Sequence, residues 1–292
     1  MKRVNKKLAA GRMKKSLLVM SALLAAGSAS ADNFNVDVGT NYHPTGLDKV
    51  TATSTSMKKQ FTYQYESNTV ISDTDGSGSI SAGDTLVAQG GMAVGDLGHN
   101  QVTGFTSNQV FRHNSNNGYG TNYLLSFSLS GFDGVVSSVV NNVPYVTYGA
   151  GLLQMYITFD GVTLNNFMDI NITRGATTGF GTEITGQVDF ANVDAGYNNL
   201  FHSGSASCAG SSGFFDIWSS CGDTMSIGFF ADFNTNVKTS QFSTIANGFG
   251  LTSNHDGSAT FAVTAIPEPA TYAMMLAGLG LVGFAARRRA AA

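Results

Sequence analysis

The sequence predicts an all-β protein whose central region folds as a β-sandwich of jelly-roll or lectin-like type. Residues 32–266 are rich in Gly, Ser, Thr, Asn and Phe and poor in Lys and Arg, a composition that disfavours helices and suits strands. Apolar and polar residues alternate along several short stretches, which is the period of a half-buried strand. Turn-forming residues separate these stretches, as they do in sandwiches.

The alternation is clearest at residues 59–71, where Phe61, Tyr63 and Tyr65 fall on one face. Further strands are predicted at 123–129, 135–140, 145–148, 152–159, 167–173, 182–190, 225–233 and 259–265. Turns are predicted at four pairs that contain glycine: Asp133-Gly134, Asp160-Gly161, Asn247-Gly248 and Asp256-Gly257. No 15-residue stretch of this region shows helical periodicity.

The first 31 residues have the order of a secretory signal peptide. A basic pair is followed by an apolar run at 17–26 and then by the small-residue motif at 29–31. Cleavage is therefore predicted between Ala31 and Asp32. The basic residues before Met13 are more than a signal peptide needs, so Met13 is an alternative start.

The C-terminal residues 267–292 combine three features in a fixed order. They are the tripeptide Pro267, Glu268 and Pro269, an uncharged run of 17 residues at 270–286, and the basic cluster Arg287, Arg288 and Arg289. A helix of that length is roughly 25 Å long, enough for a short membrane span that begins after the prolines. Because arginines stay on the cytoplasmic side, the bulk of the chain is placed outside the inner membrane.

This C-terminal arrangement resembles the PEP-CTERM sorting signal of Gram-negative bacteria. The resemblance implies an exosortase as partner, which reads Pro267-Glu268-Pro269 and cleaves near it. It also implies a transient inner-membrane anchor at 270–286, followed by release to the cell surface or extracellular matrix. It says nothing about the fold of residues 32–266.

The charge of the mature region differs from that of the whole chain. Only six of the 16 Lys and Arg residues lie between Asp32 and Ile266, whereas 18 of the 19 Asp and Glu residues do. The net charge of this region is therefore near −12. That charge argues against nucleic acid and against an anionic membrane surface as partners, and it favours divalent cations.

The two cysteines, Cys208 and Cys221, lie 13 positions apart in a chain that is predicted to be exported. In an oxidising compartment, a disulfide that closes one loop is the expected state. Loop-closure entropy gives it about 3 kcal/mol of stabilisation. The spacing fits neither a Cys-x-x-Cys redox pair nor a Cys-His nucleophile.

One segment carries specific chemistry, because residues 73–84 match the twelve-residue calcium loop of an EF-hand. Its predicted oxygen ligands include the main-chain carbonyl of Ser79 and a water held by Ser81. The full set is Asp73, Asp75, Ser77, Ser79, Ser81 and Asp84. Gly78 supplies the sharp turn at the sixth position, and Ile80 anchors the loop in an apolar contact.

Two departures from the EF-hand pattern predict weak calcium binding. Asp84 is shorter than the usual glutamate at the twelfth position, and Ser77 is neutral. The predicted dissociation constant for calcium is therefore on the order of 10⁻⁴–10⁻³ M. The flanking residues are predicted strand, so the loop would be a structural clip and not a sensor. The competing interpretation is an ordinary polar hairpin connection, since Asp, Gly and Ser are common turn residues.

The sequence offers no catalytic residue, and the chain is predicted not to be an enzyme. The five histidines form no close metal-binding pair, and there is no GxSxG elbow, P-loop or dinucleotide fingerprint. The only tryptophan, Trp218, is expected to be a core or interface aromatic and could alternatively stack on a sugar ring. The alternative functions are an extracellular polysaccharide hydrolase built from scattered Asp and His, or a carbohydrate-binding module.

The mature region also resembles the flocculation-associated PEP-CTERM proteins. The shared features are the signal peptide, a β-rich region with an Asp-Thr-Asp-Gly loop at 73–76, and a polar stretch at 252–258 before the last predicted strand. The resemblance implies a non-catalytic surface or matrix protein that acts in cell aggregation and biofilm formation. Its partners would be exopolysaccharide or a neighbouring cell surface.

Overall fold

A computed structural model describes residues 31–42, 53–107, 116–178, 181–234 and 237–266. Within these residues the regular secondary structure consists of strands apart from one short helix and one 3-10 turn, so the predicted all-β class is confirmed. The strands are β1 (Phe34–Val36), β2 (Lys58–Ser72), β3 (Thr85–Gly91), β4 (Gln101–Ser107), β5 (Leu124–Val140), β6 (Val143–Tyr148), β7 (Gly151–Thr158), β8 (Asn165–Thr178), β9 (Gly181–Asp189), β10 (Phe201–Ser203), β11 (Met225–Phe233), β12 (Ser243–Ile245) and β13 (Gly248–Ala265).

The strands pair antiparallel into one continuous sheet. The order β2–β3–β5–β7–β8–β9–β11–β13 returns to β2, because β13 pairs with both β11 and β2. The ladder of main-chain hydrogen bonds therefore closes on itself, which satisfies the edges that an open sheet would expose. The jelly-roll or lectin-like sandwich stays a prediction.

Two long strands hold this circuit together by changing partners along their length. The first half of β2 pairs with β4 and its second half with β3. All of β2 from Phe61 to Ser72 also pairs with the first part of β13, whose last part continues along β11. The loop between β2 and β3 is therefore supported by strands on both sides.

The core is dominated by aromatic rings on the buried face of these strands. Phe261, fully buried on β13, contacts Phe34, Phe61, Phe201 and Phe214 at centroid separations of 5.2–6.0 Å. These contacts join β1, β2, β10 and β13 to the short helix that precedes β11. Pairs of buried rings at this distance add stabilisation beyond the apolar area that they bury.

The short helix, α1 (Phe214–Cys221), was not predicted. Its buried side chains, Phe214 and Ile217, are three positions apart, so one face packs on the core. Eight residues are too few to show a helical period against a β-rich background, which explains why composition and pattern missed it. A single turn of 3-10 helix, Thr239–Gln241, precedes β12.

The turns at Asp160-Gly161 and Asn247-Gly248 are confirmed, but the other two predicted turns are wrong. Asp133-Gly134 lies inside β5, which runs without interruption through both of the strands predicted there. A Cβ atom on Gly134 would meet Val146 at 2.7 Å, so this glycine permits close packing of β6. The actual β5–β6 turn is at Asn141-Asn142, where both residues have positive φ.

Asp256-Gly257 lies in the middle of β13, where the strand passes from β2 to β11. A Cβ atom on Gly257 would lie 2.0 Å from the carbonyl oxygen of Asp232, so only glycine fits without a shift. The polar stretch predicted to precede the last strand is likewise part of β13. Both errors came from a local turn signal that long-range strand pairing overrides.

The predicted terminal segments lie almost wholly outside the described residues. These are the signal peptide at 1–31, of which only Ala31 is described, the membrane helix at 270–286 and the basic tail. Among the described residues, no helix has the length and apolar character that a membrane crossing requires.

Candidate functional site

The twelve-residue loop 73–84 connects two paired strands, as predicted. Ser72, the last residue of β2, is directly opposite Thr85, the first residue of β3. The loop therefore begins and ends at one rung of the ladder, which brings its first and twelfth positions together. Ile80 is 9 % exposed and belongs to the hydrophobic core, so the loop is anchored from within.

The structure brings the three predicted carboxylates of the loop into one cluster. One oxygen from each of Asp73, Asp75 and Asp84 lies within 4.8 Å of the others. Oxygen ligands 2.3–2.6 Å from one calcium ion are at most about 5 Å apart, so the three can share an ion. No cationic side chain among the described residues forms an ion pair with them.

Asp84 forms the buried floor of the cluster. Its side chain is fully buried, and its two oxygens accept main-chain hydrogen bonds from Thr74 at 2.9 Å and Ser81 at 2.7 Å. The hydroxyl of Thr74 adds a third contact at 3.2 Å. These bonds hold the carboxylate in place while leaving lone pairs for a cation.

Asp73 and Asp75 form the outer side of the cluster. The main-chain N–H of Ser77 donates to both, at 3.1 Å and 2.9 Å, and that of Gly78 donates to Asp73 at 2.8 Å. Hydrogen bonds from the side chain and main chain of Ser77 lower the pKa of Asp75 to about 2, so this exposed carboxylate stays charged in mildly acidic solution.

The remaining predicted ligands lie in the same loop. The Ser77 hydroxyl donates to the Ser79 carbonyl at 2.9 Å, and the Ser81 hydroxyl donates to Asp75 at 3.0 Å. Gly78 has φ +73°, the left-handed conformation that the sharp turn requires. The structure therefore brings the three carboxylates together and places the three serines in the same hydrogen-bonded loop, and oxygen donors of this kind are the type that calcium prefers.

The two cysteines also lie as predicted. Cys208 and Cys221 are joined, with their Cα atoms 6.2 Å apart, and they enclose α1. Trp218 on this helix contacts Phe190 and Phe215 at 5.9 and 6.2 Å, so it packs with core aromatics, as expected. Its alternative role as a platform for a sugar gains no support from these contacts.

Asp32, the predicted mature N-terminus, is already part of the described sheet. The main-chain N–H of Asp32 donates to Phe261 at 2.7 Å, and its side chain, 6 % exposed, accepts a hydrogen bond from the Ser203 hydroxyl. The cleavage between Ala31 and Asp32 itself stays a prediction.

Sequence reasoning missed one polar group, which is centred on His255. The ring nitrogen Nε2 lies 2.7 Å from the Ser253 hydroxyl and 2.9 Å from that of Ser67, and Nδ1 lies 3.1 Å from the carbonyl of Asn234. Burial lowers the pKa of His255 below 6.5. Ser253 is two positions from His255, but Asn234 and Ser67 are 21 and 188 positions away, so no short motif could have revealed the whole group. His99, by contrast, is exposed beside Asp96.

Comparison with known proteins finds one match. Residues 265–289 match the model of the PEP-CTERM protein-sorting motif. No curated protein and no solved structure matches the chain. The matched range contains Pro267, Glu268 and Pro269 and the basic residues Arg287, Arg288 and Arg289, as predicted. The motif indicates export with exosortase-dependent sorting to the surface, and the chain thus carries a PEP-CTERM sorting domain.

Proposed function

We propose that this protein is a non-catalytic component of the cell surface or extracellular matrix that acts in cell aggregation and biofilm formation. The observation that carries the proposal is the sorting motif at residues 265–289, which directs the chain to an exosortase. The acidic composition of residues 32–266 adds a means of association, since divalent cations can join carboxylates of the protein to those of an acidic polymer.

The loop 73–84 would contribute in two ways. Calcium bound there would stabilise the β2–β3 connection, because the ion is bound only when the loop is folded. The site is also open on one side, since Asp75 is exposed while Asp84 is buried. An ion held here could complete its six to eight oxygen ligands with water or with a carboxylate of exopolysaccharide.

The experiment that tests this role compares aggregation in three strains: wild type, a deletion of the whole gene, and a chain that ends after Ile266. The proposal expects aggregation to be lost in both altered strains, because the truncated chain is exported but not sorted. Normal aggregation in the deletion strain would refute the role. Aggregation restored by the truncated chain would show that sorting is not required for it.

A polymer-binding test distinguishes this role from the two alternatives. The purified protein should bind native exopolysaccharide in millimolar calcium and release it in chelator, without forming new reducing ends. Release of reducing ends, abolished by substitution of one or two aspartates, would instead identify a hydrolase. Retention on the polymer that chelator does not affect would identify a carbohydrate-binding module that works without calcium.

A further inference from the structure

The first residue of β2, Lys58, carries a buried amine. Its side chain is fully buried, whereas the other basic side chains of the described residues, Lys59, Arg174 and Lys238, are exposed. Burial disfavours the charged form of an amine, and the neutral amine is the form that acts as a nucleophile. The position of Lys58 therefore suits covalent chemistry with a group that it touches.

The amine touches a side-chain amide. Nζ of Lys58 donates a hydrogen bond of 2.7 Å to Oδ1 of Asn116, and it lies 3.1 Å from the hydroxyl of Ser56. Because the amide carbon Cγ is about 1.2 Å from Oδ1, Nζ is within about 4 Å of that carbon. Atoms about 3–3.5 Å apart are at reacting distance, so a small rotation of the Asn116 side chain brings the pair into range.

The main chain holds both residues in place. Lys58 is directly opposite Phe34 of β1 and also pairs with β4. The carbonyl of Asn116 accepts hydrogen bonds from the main-chain N–H of Tyr119 at 3.0 Å and from the hydroxyl of Tyr123 at 3.2 Å. Groups fixed in reacting geometry can behave as if at effective concentrations of about 10⁵–10⁸ M, which makes the otherwise slow attack of an amine on an amide accessible.

We propose that Lys58 and Asn116 form an intramolecular isopeptide bond. Nζ attacks Cγ of Asn116, the bond between Cγ and Nδ2 breaks, and ammonia leaves. The departing nitrogen takes up the proton that Nζ loses, so the step needs no oxidant and no further reactant. The hydroxyl of Ser56, 3.1 Å from Nζ, is placed to relay that proton.

The new amide would close a covalent ring from residue 58 to residue 116. This ring contains β2, β3, β4 and the loop 73–84. It would keep these strands together when the rest of the fold opens, which suits a protein that is exported from the cell. The proposal is independent of the role in aggregation and of calcium.

The test is mass spectrometry of the protein purified from its own cells, unfolded and reduced before digestion with trypsin. A joined pair of peptides that contains Lys58 and Asn116 should appear, lighter than the sum of the two separate peptides by about 17 Da, the mass of one ammonia. Trypsin should also fail to cleave after Lys58, because acylation removes its charge. Recovery of the two separate peptides without the joined pair would overturn the proposal.

Three variants assign the bond to these two residues. Lys58→Met and Asn116→Ala should each lose the joined pair, because each removes one reacting group. Lys59→Met, on the exposed neighbouring lysine, is the matched control and should keep it. A joined pair that persists in Lys58→Met would refute the assignment. Should a variant fail to fold, as reported by Trp218 fluorescence, the wild-type peptides decide the matter alone.

Discussion

The carboxylate of Asp84 accepts a hydrogen bond of 2.9 Å from the main-chain N–H of Thr74, ten positions earlier in the same loop. Together with the bond from Ser81, it ties the two ends of the loop to one buried side chain. Asp84 thus acts on the loop whether or not a cation is bound, whereas Asp73 and Asp75 lie on the outer side and matter chiefly for the cation.

Asp84→Ala is expected to destabilise the protein even in chelator. It removes the shared acceptor of two main-chain donors, and hydrogen bonds to a charged group contribute enough to predict a loss of about 2–3 kcal/mol. Urea unfolding followed by Trp218 fluorescence measures the change. Asp223→Ala, at an exposed aspartate outside the loop, is the control. Equal stability of Asp84→Ala and the control would contradict the structural role.

Calcium is expected to raise the melting temperature of the wild-type protein. At 10 mM calcium and a dissociation constant of 10⁻⁴–10⁻³ M, linkage gives about 1.4–2.7 kcal/mol, which corresponds to a few degrees for a domain of this size. Asp73→Ala should remove the increase while Asp223→Ala keeps it. If chelator leaves the wild-type midpoint unchanged, calcium does not bind in this loop.

Loss of the disulfide is expected to lower stability by about 3 kcal/mol, because a loop closed across 13 positions becomes unconstrained in the unfolded chain. The double variant Cys208→Ser, Cys221→Ser can be compared with wild type by urea unfolding. The wild-type protein in reductant should approach the variant. A loss below about 1 kcal/mol would mean that α1 and its aromatic contacts suffice to hold this segment.

His255 is expected to make stability depend on pH. Burial is the largest cause of its lowered pKa, and it outweighs the Asn234 carbonyl and the nearby Asp256 carboxylate, which act in the opposite direction. Because the unfolded state takes up the proton first, stability contributed by the neutral ring is present above pH 6.5 and is lost as the pH falls from 6.5 toward the folded pKa.

The measurement for His255 is the melting temperature between pH 7.5 and pH 5. Wild type should lose more over this interval than His255→Gln, which does not titrate. His99→Gln, on the exposed histidine, should follow wild type. Parallel curves for wild type and His255→Gln would show that the imidazole is equally easy to protonate in the folded and unfolded states.

Gly257→Ala is expected to destabilise the protein by about 1–3 kcal/mol, the usual cost of overpacking. The new Cβ would meet the carbonyl of Asp232 at 2.0 Å and the hydroxyl of Tyr63 at 2.7 Å, two groups that are hydrogen-bonded to each other. Gly104→Ala in β4 is the control, since its nearest contact would be 3.6 Å away. Similar unfolding midpoints for the two variants would mean that β11 and β13 can move apart at this point with little loss of stability.

The carboxylate cluster of the loop 73–84 could be predicted because its three aspartates lie within twelve residues, at the spacing of a loop that wraps around one point. Most strands could be predicted for a related reason, because the alternation of apolar and polar residues is visible within a short stretch of sequence. The long strand β5 was divided wrongly at Asp133-Gly134, where contact with Val146 on β6 decides the conformation. His255 and Ser67 are 188 positions apart, so only the folded chain shows their relationship.

The Asp32 bridge to Phe261 places the two ends of the described fold in the same part of the sheet. Ile266, the last described residue, is five residues farther along, roughly 17 Å of extended strand, and its N–H donates to the carbonyl of Thr224 at 2.7 Å. The predicted leader and the sorting motif would therefore join this part of the sheet at two points separated by about that distance along β13. Because strand pairing at Asp32 and at Ile266 needs no free chain end, the described strands could form before either predicted cleavage takes place.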